Sequence, residues 1–160
     1  MIALAEGEVP KWLVASNRSR LRRRLSEHDL QDIVPALSRR ARRLKLRAHA
    51  SDLPRIQAEQ GVVLSGVSAA SEHGLAIVAP GVLEVYVPAG RLSDLERRYR
   101  LKPSADPNVI LHVIDGPWPF AQDQRIAPRL AAVLDLLDDD DERSRRAAHD
   151  ALARYKAAGA

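Results

Sequence analysis

Cysteine is absent from this 160-residue chain. That excludes disulfides, Cys-ligated zinc and thiol catalysis together, and it is the usage expected of a reducing compartment such as the cytoplasm. Aromatic residues are scarce at 4%, so a core has to be assembled mainly from Leu, Val, Ile and Ala. No apolar run approaches the roughly 18–20 residues of a membrane span. The opening stretch MIALAEGEVPKW carries Glu6 and Glu8 and no basic start, so neither a membrane segment nor a cleaved signal is expected. What is plentiful is aliphatic: apolar residues make up 46% of the chain, enough to pack one domain of ordinary size.

Motifs for several chemistries are missing as well. His28, His49, His73, His112 and His149 show no H-x-x-x-H or H-E-x-x-H spacing, and Glu72-His73 lacks the second His of a metalloprotease helix. No serine lies in a G-x-S-x-G context, so a hydrolase triad has no support. No cofactor is expected.

Charge is distributed unevenly. Residues 1–50 hold 12 Lys/Arg against 5 Asp/Glu, a net of +7, whereas residues 51–160 hold 13 against 16, a net of −3. The excess comes from two clusters, RSRLRRRL (18–25) and RRARRLKLR (39–47). A basic end on a mildly acidic body is the asymmetry of a chain that meets a polyanion; a solvated basic face is the plainer alternative. Guanidinium groups hold phosphates through paired donors. The candidate DNA-contacting residues are therefore Arg18, Arg20, Arg22, Arg23, Arg24, Arg39, Arg40, Arg42 and Arg43. Gln and Asn base readers are sparse among them, so phosphate contact with duplex DNA is expected and sequence readout is not visible.

Leu21 and Leu25 among the arginines suggest a short basic helix. Leu30, Ile33, Val34, Leu37, Ala41 and Leu44 continue at helical spacing. Strict alternation from Arg43 to His49 then predicts a strand with one wet face. Beyond it the pattern predicts a helix from Ser51-Asp52-Leu53-Pro54 to Gly61, a buried strand Val62–Ser65, and a helix Ser68–His73 stopped by Gly74. A strand Val82–Val87, a helix from Ser93-Asp94 to about Leu101, a loop KPSADPN and a strand Val109–Ile114 follow. Ile126-Ala127 is a short strand candidate, and helices are expected from Pro128 to Leu137 and from Ser144 to Ala157. The fold class is α/β (α+β): a small mixed sheet flanked by helices, behind a basic N-terminal helical segment. The division expected is 1–42 for that segment and 43–160 for the α/β domain.

The stretch VVLSGVSAASEHGLAI (62–77) resembles the start of nucleotidyltransferase-like domains, where an apolar strand enters a Gly/Ser turn and the next strand bears two alternate carboxylates. In such domains the turn's N–H groups hold triphosphate and the carboxylates hold magnesium. Here Glu84 stands at the first carboxylate position, Tyr86 replaces the second, and Val67 occupies a place where a smaller residue would leave room. The outline is nucleotidyltransferase-like but degenerate, and a structural strand–turn–helix is the expectation. The enzyme alternative would rest on Ser65, Gly66 and Glu84. The run Asp138 to Asp141 lacks the alternating ligands and central glycine of an EF-hand and is expected to favour the positive N-terminus of the next helix. Trp118 and Phe120, in a Pro-flanked loop, are either a packing plug or an exposed contact surface.

Taken in order, VVLSGVSAASEHGL, VYVPAGRLSDLERRY, NVILHVIDGPWPF and RIAPRLAAVLDLLDDDDERSRRAAHDAL resemble the C-terminal domain of AbiEi-type antitoxins over residues 45–155. The resemblance implies a non-enzymatic regulator of a type IV toxin–antitoxin system, with an N-terminal winged helix-turn-helix on its own promoter. It also implies a C-terminal domain that supports DNA binding and antitoxicity, and a cognate nucleotidyltransferase-type toxin. This chain departs from that pattern at its front, where about 45 residues are too few for a complete winged domain and linker. A protein–protein interaction module without DNA binding, its basic helices docked on an acidic protein, is the alternative.

Overall fold

The alternation in RRLKLR forms strand β1, Arg42–Arg47, in the computed structural model, which describes residues 41–158 and side chains through Arg154. Helical spacing therefore does not continue through Leu44. Leu44 and Leu46 turn to one face of a sheet, and Arg43, Lys45 and Arg47 to the other, as a period of two requires. The expected basic helices upstream, with Arg18, Arg20, Arg22, Arg23, Arg24, Arg39 and Arg40, lie outside the described residues.

After a 3-10 turn at Ala50–Asp52 comes helix α1, Leu53–Ala58, with Pro54 in its first turn, where a missing N–H leaves nothing unsatisfied. Strand β2 is only Val63–Leu64, and helix α2 is a single turn, Gly66–Ala69. The helix expected at Ser68–His73 thus starts two residues earlier and continues only as turns to Gly74. Strand β3 (Leu83–Pro88), helix α3 (Ala89–Tyr99), strand β4 (Lys102–Pro103) and strand β5 (Val109–Ile114) complete a five-stranded sheet ordered β2-β3-β5-β1-β4. Strands β3 and β5 are parallel, and every other neighbouring pair is antiparallel. The mixed sheet with helices is the α/β class expected.

Two elements differ from the expectation for clear reasons. Helix α3 begins at Ala89, not Ser93: Leu92, Leu95 and Tyr99 form one face on the core, and Asp94 is used in mid-helix, paired with Arg97 and Arg98. Strand β4 falls in the expected loop because Lys102 and Pro103 pair with Arg47 and Leu46 at the sheet edge. Proline has no N–H to donate, so an edge is where the sheet tolerates it. Helix α3 ends on Arg100 in the left-handed conformation (φ 51°), which among the described residues is the one non-glycine with positive φ. For a side chain with a Cβ that conformation costs about 1 kcal/mol.

Leu83, Val85 and Val87 of β3 and Val109, Leu111 and Val113 of β5 face Ile56 of α1 and Leu95 and Tyr99 of α3 in one core. The opposite face of the same strands is buried too: Glu84, Tyr86, Ile110, His112 and Ile114 are each under 10% exposed. Strands buried on both faces read as near-continuous apolar runs, as LEVYV and VILHVI do.

The chain divides into two compact units, one of them Arg40–Ala127 and the other including Pro128–Ala160. In the second, α4 (Arg129–Leu137) packs on α5 (Glu142–Ala158). The acidic run between them serves the helix: the Arg143 N–H donates to Asp141 Oδ1 at 3.0 Å, and Arg145 returns to the carbonyls of Asp139 and Asp140 at 2.8 Å. No helix among the described residues is long and apolar enough to cross a membrane.

One polar cluster closes the end of α1. The Glu59 carboxylate, with 13% of its side chain exposed, accepts from Tyr99 Oη and Arg98 at 2.6 Å and from Arg91 at 2.9 Å. Arg91 also reaches the Gln60 carbonyl, and Arg125 the carbonyls of Gln57 and Glu59. The Tyr99 hydrogen bond holds the Glu59 carboxyl below its ordinary value, against the pull of burial, with Arg98 and Arg91 adding to the effect. A carboxylate depressed in the folded state contributes stability that is present above its unfolded pKa, about 4.3, and lost as pH falls through the folded value. Thermal melts from pH 7 to pH 3 should show this acid-side loss, and Glu59→Gln should lower the neutral-pH Tm while flattening the acid limb.

Candidate functional site

The strand–turn–helix at 62–69 has the outline of a phosphate cradle, and its chemistry is decided by Glu84. This side chain is 1% exposed. Its Oε2 accepts the Val67 N–H at 2.9 Å, and its Oε1 lies 2.8 Å from His112 Nε2. The pair is a salt bridge when the ring is protonated and a hydrogen bond when it is neutral. The Glu84 backbone joins in: its N–H donates to Ser68 Oγ at 2.8 Å, and its carbonyl accepts the Ser65 N–H at 3.0 Å.

Gly66 shows how closely the carboxylate fills the turn. A Cβ at Gly66, whose φ is 45°, would lie 1.8 Å from Glu84 Oε2. The space that a turn of this kind offers an incoming anion is occupied by the protein's own carboxylate, and an amide of the turn already serves it. Tyr86 stands where a second carboxylate would be; its ring packs 5.0 Å from His112 and 5.2 Å from Phe120. Among the described residues no cluster of three or more His, Cys, Asp or Glu could hold a metal ion.

Other sequence candidates find local roles. The His73 Nε2–H donates to the Ala127 carbonyl at 2.8 Å, tying the turn to a segment 54 residues on. Ile126 makes a single parallel bridge to Leu64, short of a strand. Phe120 and Trp118 stack edge to face at 5.0 Å, and both are half-buried, so Phe120 plugs against Tyr86 while Trp118 keeps part of its ring at the surface.

Of the nine candidate DNA-contacting arginines, Arg42 and Arg43 are described. Both lie on β1, opposite Val113 and His112 of β5. Arg42 is paired with Asp115 at 3.3 Å, with side chains 49% and 63% exposed. Arg43 is half-buried on the face shared with Tyr86 and His112.

The residues missed by sequence reasoning are the partners of Glu84. His112 was one histidine in an apolar strand, and only parallel pairing of β3 with β5 puts it beside a glutamate 28 residues away. A buried acid in one strand and a lone histidine in the next was the available signal.

The geometry defines an α/β domain whose strand–turn–helix is closed on itself by a buried carboxylate. The chain belongs to the family of transcriptional regulators described as AbiEi antitoxin, type IV toxin–antitoxin system, whose model matches residues 36–157. It is a family of antitoxins and regulators, generally non-enzymatic. Comparison with curated proteins and with solved structures gives no match.

Gly66→Ala should force the buried carboxylate out of the turn and cost about 3–5 kcal/mol of folding stability, read by chemical denaturation. Glu84→Ala leaves the Val67 amide and His112 without this acceptor and should cost about 3 kcal/mol. Glu84→Gln, which keeps the shape, should cost less than Glu84→Ala.

Proposed function

We propose that the chain is a cytoplasmic, non-enzymatic antitoxin-like transcriptional regulator. It holds duplex DNA through phosphate contacts from its basic N-terminal third: Arg18, Arg20, Arg22, Arg23, Arg24, Arg39, Arg40, Arg42 and Arg43. Residues 1–42 act as the basic contacting segment and residues 43–160 as the AbiEi-like domain behind it. The cognate partner is a nucleotidyltransferase-type toxin, which the antitoxin opposes.

The observation that carries this reading is the family match over residues 36–157. The charge asymmetry supports it: net +7 in residues 1–50 against −3 in the remainder. Arg42 fits the role because its link to Asp115 is half-exposed. Pairs of that kind are worth about 0–1 kcal/mol and are open to exchange for a phosphate.

Gel-shift titrations on duplex DNA at two salt concentrations test the reading. Affinity should fall steeply with salt, by a log–log slope of about 0.9 per phosphate neutralised. Replacing the RSRLRRRL arginines with glutamine should reduce both affinity and slope. Absent or salt-insensitive binding removes the DNA reading; a stable complex with an acidic protein partner and no shift would favour the interaction-module alternative.

A further inference from the structure

We propose that residues 74–83 (GLAIVAPGVL) are a self-association surface: a second copy of this chain lays its own 74–83 segment alongside across a two-fold axis, and Val78 of each copy enters the cleft beside Val78 of the other.

The segment connects α2 to β3 and carries no charged residue. Leu75 is buried and Ile77 and Ala79 are half-buried, while Ala76, Val78 and Pro80 are exposed, the alternation of an extended chain. Val78, at 78%, is the one large apolar side chain so exposed among the described residues. The main chain is open as well. The Ile77 N–H donates to the Leu75 carbonyl at 2.8 Å, and the Val82 N–H to the Ala79 carbonyl at 3.2 Å, closing a turn through Pro80 and Gly81 (φ 77°). The N–H groups of Ala76, Val78 and Ala79 make no hydrogen bond among the described residues.

A lone exposed valine is ordinary, and so is a loop amide left to water. The contrast lies in how the rest of the unit treats its exposed backbone. Edge strand β4 is short and carries Lys102 and Pro103, both of which discourage an added strand. The other edge, β2, is covered: the Leu64 N–H donates to the Arg125 carbonyl and its carbonyl accepts the Ala127 N–H, each at 2.8 Å. Residues 75–79 have neither a charge nor a cover, so they alone offer an apolar template for strand addition.

The occupant follows from shape and charge. Between this segment and the start of α1 lies a cleft of about 450 Å³, with Leu53, Pro54 and Gln57 on one side and Ile77 and Val82 on the other. No charged side chain lines it, so an acidic or basic partner would find no counter-charge there. An apolar knob and an uncharged hole stand side by side on one surface, which is the self-complementary arrangement that a two-fold pair requires. The chain carries a net charge of +4, and two copies meet with least repulsion where neither bears charge. A strand-sized contact falls below about 1,200 Å², so the pair should form and separate with concentration.

Sedimentation velocity on the full chain, without nucleic acid, tests the proposal apart from the DNA-binding reading. Monomer should convert to dimer across the micromolar range. Val78→Lys should raise the dimer dissociation constant about tenfold or more, because it drives a charge into an uncharged cleft. Its Tm at low concentration should be unchanged, since the side chain is exposed in the single copy. Ala76→Lys, on the same exposed side, should act likewise, and Val78→Leu should keep the dimer. Amide exchange at Ala76, Val78 and Ala79 should slow as the unaltered protein is concentrated, and not in Val78→Lys. A chain that stays monomeric throughout overturns the proposal, as does a dimer indifferent to both lysine variants. Slow exchange at these three amides already at the lowest concentration would mean that the chain covers the segment itself, which overturns it too.

Discussion

The constraint on which the central unit depends is a carboxylate taken out of water. Glu84 is buried near the start of β3, and moving a charge of that kind into a protein interior costs several kcal/mol unless it is met by donors. The donors come from two directions: the Val67 amide in the turn and His112 on β5. Meeting them fixes three things at once. The turn has to carry glycine at position 66, the first helical turn has to start there, and β3 and β5 have to pair in the register that puts His112 opposite Tyr86. A one-residue slip would turn Glu84 into the aliphatic face that holds Leu83, Val85 and Val87.

The same carboxylate explains why a familiar motif does something unfamiliar. Strand, small-residue turn and helix start are all present in VLSGVSA, and each has the local conformation the pattern suggests. What differs is where the amides point their charge. In a phosphate-binding turn they face an open groove, whereas here one of them is satisfied by an acid from the neighbouring strand. Function is carried by the site rather than by the outline of the fold, and in this unit the site is sealed by its own residue.

Strands β3 and β5 were legible because both are aliphatic runs bounded by proline, asparagine and aspartate, and β1 because its polar and apolar residues alternate. The acidic run before α5 was legible as charge suited to a helix start, and Asp141 does accept an amide of that first turn. The misses share a cause, namely that a local signal was used for something else. Ser93-Asp94 looks like a cap, yet Asp94 is an ion-pair partner in mid-helix; Lys102-Pro103 looks like a loop, yet it pairs at an edge. His112 and Glu84 were visible singly, but their pairing is a tertiary fact that depends on parallel strands joined through α3. The basic residues from Arg18 to Arg40, expected on short helices, fall outside the described residues.

Arginine count does not separate binding residues from structural ones, but the burial of the acid each one pairs with does. Arg91, Arg98 and Arg125 reach backbone carbonyls or the nearly buried Glu59 and hold the end of α1 in place. Giving up those contacts would leave the Glu59 carboxylate, 13% exposed, short of donors, at a cost of about 1–3 kcal/mol. Arg42 and Arg47 instead pair with exposed acids in the loops flanking β5, at 3.3 and 2.5 Å. Links of that sort are worth about 0–1 kcal/mol and weaken with salt. They hold a guanidinium near the surface without committing it, so a phosphate can take the place of the carboxylate at little cost to the fold. Arg100 and Lys102 sit at the far end of this series, exposed and without an internal ion pair among the described residues.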